Sequence, residues 1–77
     1  MTKSKNIYLI KDVARLSGHS IHTVNYYLNL GLLKEFGRSP ETNYRFFDDK
    51  ALRRLNEIRE LRSQGHSIKS IQKRLKP

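Results

Sequence analysis

Seventy-seven residues with no cysteine leave room for one domain with a modest core, and exclude a disulfide scaffold or a thiolate metal site. Sixteen lysines and arginines against seven acids give a formal charge of +9, which draws a chain to polyanions, phosphate backbones above all. No apolar run approaches the roughly 20 residues of a membrane span and the polar start lacks a signal-peptide core, so the expectation is a soluble, cytoplasmic protein with no membrane partner.

In chain order, residues 1–6 are expected to form a flexible basic arm, and Ile7-Tyr8-Leu9 is an apolar stretch able to add one strand to a small sheet. Ile10, Val13, Ala14 and Leu16 predict a short first helix ending at Gly18. Ser20 caps a second helix that runs to about Leu30, with Ile21, Val24 and Leu28 as its apolar stripe. Gly31 stops it, and Leu32-Leu33 restart the chain in a new direction. Turn formers then cluster at Gly37, Ser39, Pro40, Thr42 and Asn43, flanked by Leu32-Leu33 and by Tyr44-Arg45-Phe46-Phe47, which predicts a β-hairpin with a long tip. Asp48 or Asp49 caps a third helix from Lys50 to Gln64, along which Ala51, Leu52, Leu55, Ile58 and Leu61 keep a helical spacing. Gly65 ends it, and a fourth helix runs from Ser67 towards Lys76.

One signature occurs twice. Gly18-His-Ser-Ile and Gly65-His-Ser-Ile each open the pattern Gly-His-Ser-Ile-x-x-(Val/Ile)-x-x-x-Leu, so each glycine can end one helix in a left-handed conformation and each serine can cap the next. The chain therefore holds two helix-turn-helix corners, at about 10–29 and 49–76, with a wing between them at about 32–48. The fold class is mainly α with a small β-hairpin: a four-helix winged helix-turn-helix over residues 7–77.

Catalysis finds little support, because the serines sit where caps and turns need them and no cysteine nucleophile exists. His19 and His22 are three apart, yet no neighbouring ligand completes a zinc set, and the expectation is neither enzyme, metal nor cofactor. The second helix carries no Lys, Arg, Asp or Glu, and opposite its apolar stripe it offers His22, Thr23, Asn25, Tyr26 and Asn29, groups that can bond base edges and phosphates. Of Tyr26 and Tyr27, one is expected in the core and the other exposed. In the hairpin, Arg45 lies between Tyr44 and Phe46, so strand alternation turns it away from the aromatic face, and Arg38 lies at the tip. Charge concentrates on the last two helices, with Arg53, Arg54, Arg59, Arg62, Lys69, Lys73, Arg74 and Lys76. Charge alone would make the second corner the reader.

Ile10 to Tyr27, Gly31-Leu-Leu, Asn43-Tyr-Arg-Phe-Phe, and Leu52 onward to Gly65-His-Ser-Ile together resemble the winged-helix DNA-binding domain of the MerR family of bacterial transcription regulators. The resemblance spans about residues 7–76 and reverses the choice made on charge. It implies that the second helix enters the major groove, that Ser20, His22, Thr23 and Asn25 approach bases, and that Tyr26 and Arg45 clamp the backbone; Tyr27, Arg38 and Tyr44 complete the expected contacts. Where the family usually has Arg before the paired tyrosines, this chain has Asn25. No dimerisation helix follows the fourth helix in this sequence, so the alternatives are the N-terminal domain of a longer regulator or a small natural protein. Homodimerisation is expected only if a longer parent chain supplies that helix, and no small-molecule effector site is expected here. The expected function is sequence-specific double-stranded DNA binding, against an excisionase-like architectural protein or a protein-interaction module.

Overall fold

The computed structural model describes residues 6–75, so the expected arm over residues 1–5 and the end of the last helix at Lys76 lie outside the described residues. The element order is β1 (Tyr8–Leu9), α1 (Ile10–Ser17), α2 (Ile21–Asn29), β2 (Gly37–Arg38), β3 (Arg45–Phe47), α3 (Asp49–Ser63) and α4 (Ile68–Leu75). The three strands make one antiparallel sheet in the order β1-β3-β2, with Tyr8 opposite Phe47 and Arg38 opposite Arg45. Four helices and this sheet are the expected winged helix-turn-helix, but the first strand of the wing stands at Gly37–Arg38, among residues expected at the tip, whereas Leu32-Leu33, expected as a flank of the hairpin, is a bend buried in the core.

The repeated corner is a repeat of bonds as well as of letters. Gly18 (φ 78°) and Gly65 (φ 95°) are both left-handed, and the amides of His19 and His66 bond back to the carbonyls of Ala14 (2.9 Å) and Leu61 (3.1 Å). That closure is the Schellman arrangement. Ser20 Oγ accepts from the Thr23 amide at 3.0 Å, and Ser67 Oγ from the Ser70 amide at 3.1 Å. The surroundings differ. At Gly18 the Arg59 guanidinium of α3 crosses the turn and donates to the Ser17 carbonyl, whereas nothing lies within 4 Å of a side chain placed at Gly65. Gly65→Ala is therefore expected to cost about 1–2 kcal/mol for left-handed backbone alone. Gly18→Ala adds the displaced Arg59 bond, a further 0.5–1.5 kcal/mol or so. Urea midpoints measure the pair, and equal losses would remove Arg59 from the corner.

The core is built from Val13 and Ala14 of α1, Val24 and Tyr27 of α2, Leu32 and Leu33, Phe47 of β3, Ala51, Leu55 and Ile58 of α3, and Ile71 of α4. Two residues expected inside are outside: Leu16 is 52% exposed and Ile21 46%. In α1 the inward stripe is Ile10, Val13, Ala14 and Ser17, which leaves Leu16 beside it. In α2 the Tyr27 ring takes the inward arc with Val24 and Leu28, and Ile21 is rotated out. The equivalent Ile68 of the second corner does pack against the core. Asn6, expected in a free arm, donates to Asp49 at 3.4 Å, and Tyr8 Oη donates to the same carboxylate at 2.8 Å. The N-terminus of α1 is closed by Asp12, whose Oδ2 accepts from the Leu9 amide at 3.1 Å.

Candidate nucleic-acid interface

The elements carrying the expected contacts are α2 and the wing, and the second helix pair holds α2 from behind. Arg54 of α3 donates to the Leu32 carbonyl at 3.0 Å, and Gln72 of α4 to the Leu30 carbonyl at 3.4 Å, so both grip the chain where α2 ends. With Arg59 on the Ser17 carbonyl, α3 also fixes the end of α1. Two of the arginines that made the second corner look like a reader thus serve the backbone of the first. Arg53, Arg62, Lys69, Lys73 and Arg74 are exposed.

Along α2, Ser20 both accepts from the Thr23 amide and donates to Thr23 Oγ1 at 2.9 Å, so these side chains form the cap itself. His22 and Tyr26 are exposed, Tyr26 at 47%. Tyr27 needs a correction as an expected contact: its ring is buried, 6% exposed, edge-on to His19 with centroids 5.8 Å apart. The paired tyrosines divide as expected, but only Tyr26 faces outward. His19 has its pKa lowered, first by burial and then by the Arg59 charge, so it serves as a neutral ring closing the turn over Tyr27.

In the wing the orientation is the reverse of that expected. Phe47, two residues from Arg45 and on the same side of β3, is fully buried, whereas Tyr44 is 61% exposed. Arg45 thus turns towards the body. Its Nη1 donates to Asn25 Oδ1 on α2 at 3.0 Å and its Nε lies 2.9 Å from Glu35 Oε1. Asn25 is accordingly half-buried under the wing rather than on a free polar face. Arg38 Nε donates to the other Glu35 oxygen at 2.8 Å. Both arginines hold the Glu35 pKa below the usual carboxylate range, Arg38 the more strongly. The tip closes on itself, with the Asn43 amide donating to the Ser39 carbonyl at 2.8 Å and Asn43 left-handed at φ 63°.

A cleft of about 510 Å³ lies where the wing meets the β1–α1 junction, lined by Leu9, Ile10 and Lys11 there, by Asn25 of α2, and by Arg38, Asn43, Tyr44 and Arg45 of the wing. Three cations stand at its walls, and two of them, Arg38 and Arg45, are paired with Glu35. Lys11 and Glu35 were missed from sequence. The one legible signal was that Glu35 is the sole acid between Asp12 and Glu41 and stands three residues before Arg38.

The model of the MerR HTH family of regulatory proteins matches residues 8–76. The chain belongs to the MerR family. Its fold is the helix-turn-helix DNA-binding domain of that family of transcription regulators. It is similar to the HTH-type transcriptional regulator CueR of Bacillus subtilis, 43% identical over 68 residues that cover 88% of this chain and 46% of CueR. The Multidrug-efflux transporter 1 regulator of the same organism is 30% identical over 90% of this chain and 25% of its own length. Among solved structures, HiNmlR, a MerR family regulator lacking the sensor domain and bound to promoter DNA, superposes with a TM-score of 0.80 and 31% identity, covering 91% of this chain and 52% of that one. A MerR family regulator from Bacillus cereus shares the fold (TM-score 0.81, 24% identity, 88% of this chain and 50% of that one). The chain therefore spans about half the length, or less, of these MerR relatives. No helix among the described residues is long and apolar enough to cross a membrane.

Proposed function

We propose that this chain binds double-stranded DNA sequence-specifically as the reading domain of a cytoplasmic transcription regulator, with α2 in the major groove and the wing on the adjacent backbone. The observation that carries this reading is the Arg45–Asn25 hydrogen bond, which joins the wing to α2 so that groove reader and backbone contact act as one body. The α2 N-terminus adds support: its first turn carries no acid, so its field and free amides favour a phosphate. His22 and Thr23 approach base edges, Ser20 holds the helix end against the backbone, and Tyr26, Arg38, Tyr44 and Arg45 contact phosphates. Asn25 orients Arg45. HiNmlR, bound to promoter DNA, supports the same placement by likeness of fold.

Selection of bound duplexes from a random pool, followed by titration at increasing salt, tests this. An enriched motif is expected, with log K falling by about 0.9 per phosphate neutralised for each tenfold rise in salt. A single half-site is expected for this chain as a monomer, and a palindrome for a dimer. Salt-independent affinity with no enriched motif would sink the reading.

A further inference from the structure

The wing contains a charge arrangement that DNA binding alone does not require. Arg38 and Arg45 are directly opposed across β2 and β3, a pairing of like charges that destabilises a sheet. Glu35 lies between them. One of its oxygens accepts from Arg38 at 2.8 Å and the other stands 2.9 Å from Arg45, so one carboxylate serves both wing cations. Asn25 occupies a further Arg45 nitrogen at 3.0 Å. Glu35, Arg38 and Arg45 are all partly open to solvent, and the trio carries one net positive charge where the bare arginines would carry two.

We infer that Glu35 is a specificity-determining positioning residue, a built-in competitor that masks Arg38 and Arg45 from phosphates until the wing is correctly seated on its duplex. The inference rests on the DNA-binding reading above and deepens it. A phosphate that takes either arginine must displace the carboxylate, and the exchange is favourable only when it arrives with the geometry the site supplies. On a duplex of mixed sequence α2 is poorly seated, the phosphates meet a wing already neutralised in part, and binding stays weak. On the selected sequence the contacts of α2 hold the backbone against the wing, and the arginines change partners. Discrimination is gained by weakening the wrong complex more than the right one.

The test compares the chain with Glu35→Gln and Glu35→Asp, titrated against a selected duplex and a duplex of mixed sequence over a salt series. Melting curves check that each variant is folded. Glu35→Gln is expected to bind the mixed duplex more tightly and to steepen its salt slope by about 0.9–1.8, one or two additional phosphates. Affinity for the selected duplex rises less, so the specificity ratio falls. Glu35→Asp keeps the charge but lacks the reach to serve both arginines, and its slope is expected between the two. In the Arg38→Gln, Arg45→Gln background, Glu35→Gln is expected to leave the slope unchanged.

Three results overturn the inference: an unaltered slope in the parent background, the same steepening in the arginine-free background, which would mark a general charge effect, or a folded Glu35→Gln variant that binds more weakly. If the unmodified chain itself shows no salt-dependent binding, the DNA-binding reading falls and this inference with it. If it binds and Glu35→Gln leaves the slope untouched, only this inference falls.

Discussion

Replacing Phe47 with alanine is expected to cost about 3–5 kcal/mol, the range for emptying a buried aromatic site. At roughly 0.05–0.15 kcal/mol per residue, a chain of 77 residues has about 4–12 kcal/mol of total stability, so this one change consumes much of it. Phe47 is fully buried, pairs with Tyr8 in the sheet, and belongs to the central strand against which α1 packs. Its loss undermines the joint between the helix-turn-helix and the wing. In thermal denaturation followed by circular dichroism, a fall in Tm of more than about 12 °C is expected, at 4–8 °C per kcal/mol for a domain this size. Leu16→Ala is the control. Being half exposed, Leu16 is expected to change stability by no more than about 0.5 kcal/mol. A Leu16 loss comparable with that of Phe47 would mean that the core has been assigned to the wrong face of α1.

Arg45→Ala is expected to lower DNA affinity by about 10- to 100-fold, the equivalent of a charge-assisted hydrogen bond worth about 1.5–3 kcal/mol. Two losses coincide. The proposed phosphate contact disappears, and so does the bond to Asn25 that ties the wing to α2. Stability changes little by comparison, because Arg45 is half-buried and its Glu35 partner keeps Arg38. Titration of the selected and mixed duplexes measures the effect, with the selected duplex weakened more, because on the mixed duplex Glu35 already holds Arg45 from the phosphates. Affinity unchanged in a folded variant would take the wing out of the interface.

Asn25 illustrates how the contact map changes what a substitution tests. On the sequence it stands where the family usually has arginine, and restoring the cation would be expected to tighten binding or shift the preferred site. In the fold its oxygen accepts from Arg45. Asn25→Arg would set two guanidinium groups against each other and release the wing, so any gain in charge is opposed by a loss of order.

The glycine-serine corners, the helix limits and the returning strand of the wing were legible because each depends on near neighbours: a left-handed glycine, a serine oxygen reaching an amide three residues on, a run of apolar residues at helical spacing. The first strand of the wing, expected at Leu32-Leu33, lies instead at Gly37–Arg38, because those leucines are drawn into the core. The family was legible for the same reason, as its marks are short and in order along the chain. Periodicity failed at Leu16 and Ile21. A spacing identifies a helix and an approximate apolar side, but the arc that is covered depends on which neighbour takes the space, and here Tyr27 takes it from Ile21. The inward turn of Arg45 was hidden likewise. Alternation places Arg45 opposite to Tyr44 and Phe46, but which side of the strand faces the body was decided by Phe47 entering the core.

By itself the sequence determined the four helices, the two corners, the charge and the family, since these follow from composition, backbone preferences and order along the chain. Only the tertiary structure decided the work of the repeated Gly-His-Ser-Ile. The first copy leads into α2 beneath the wing, and the second into α4, whose Gln72 holds the end of α2. Only packing, too, brought Asn25, Glu35, Arg38 and Arg45 together, because contacts between residues up to 20 positions apart are set by a shared core and not by local preference.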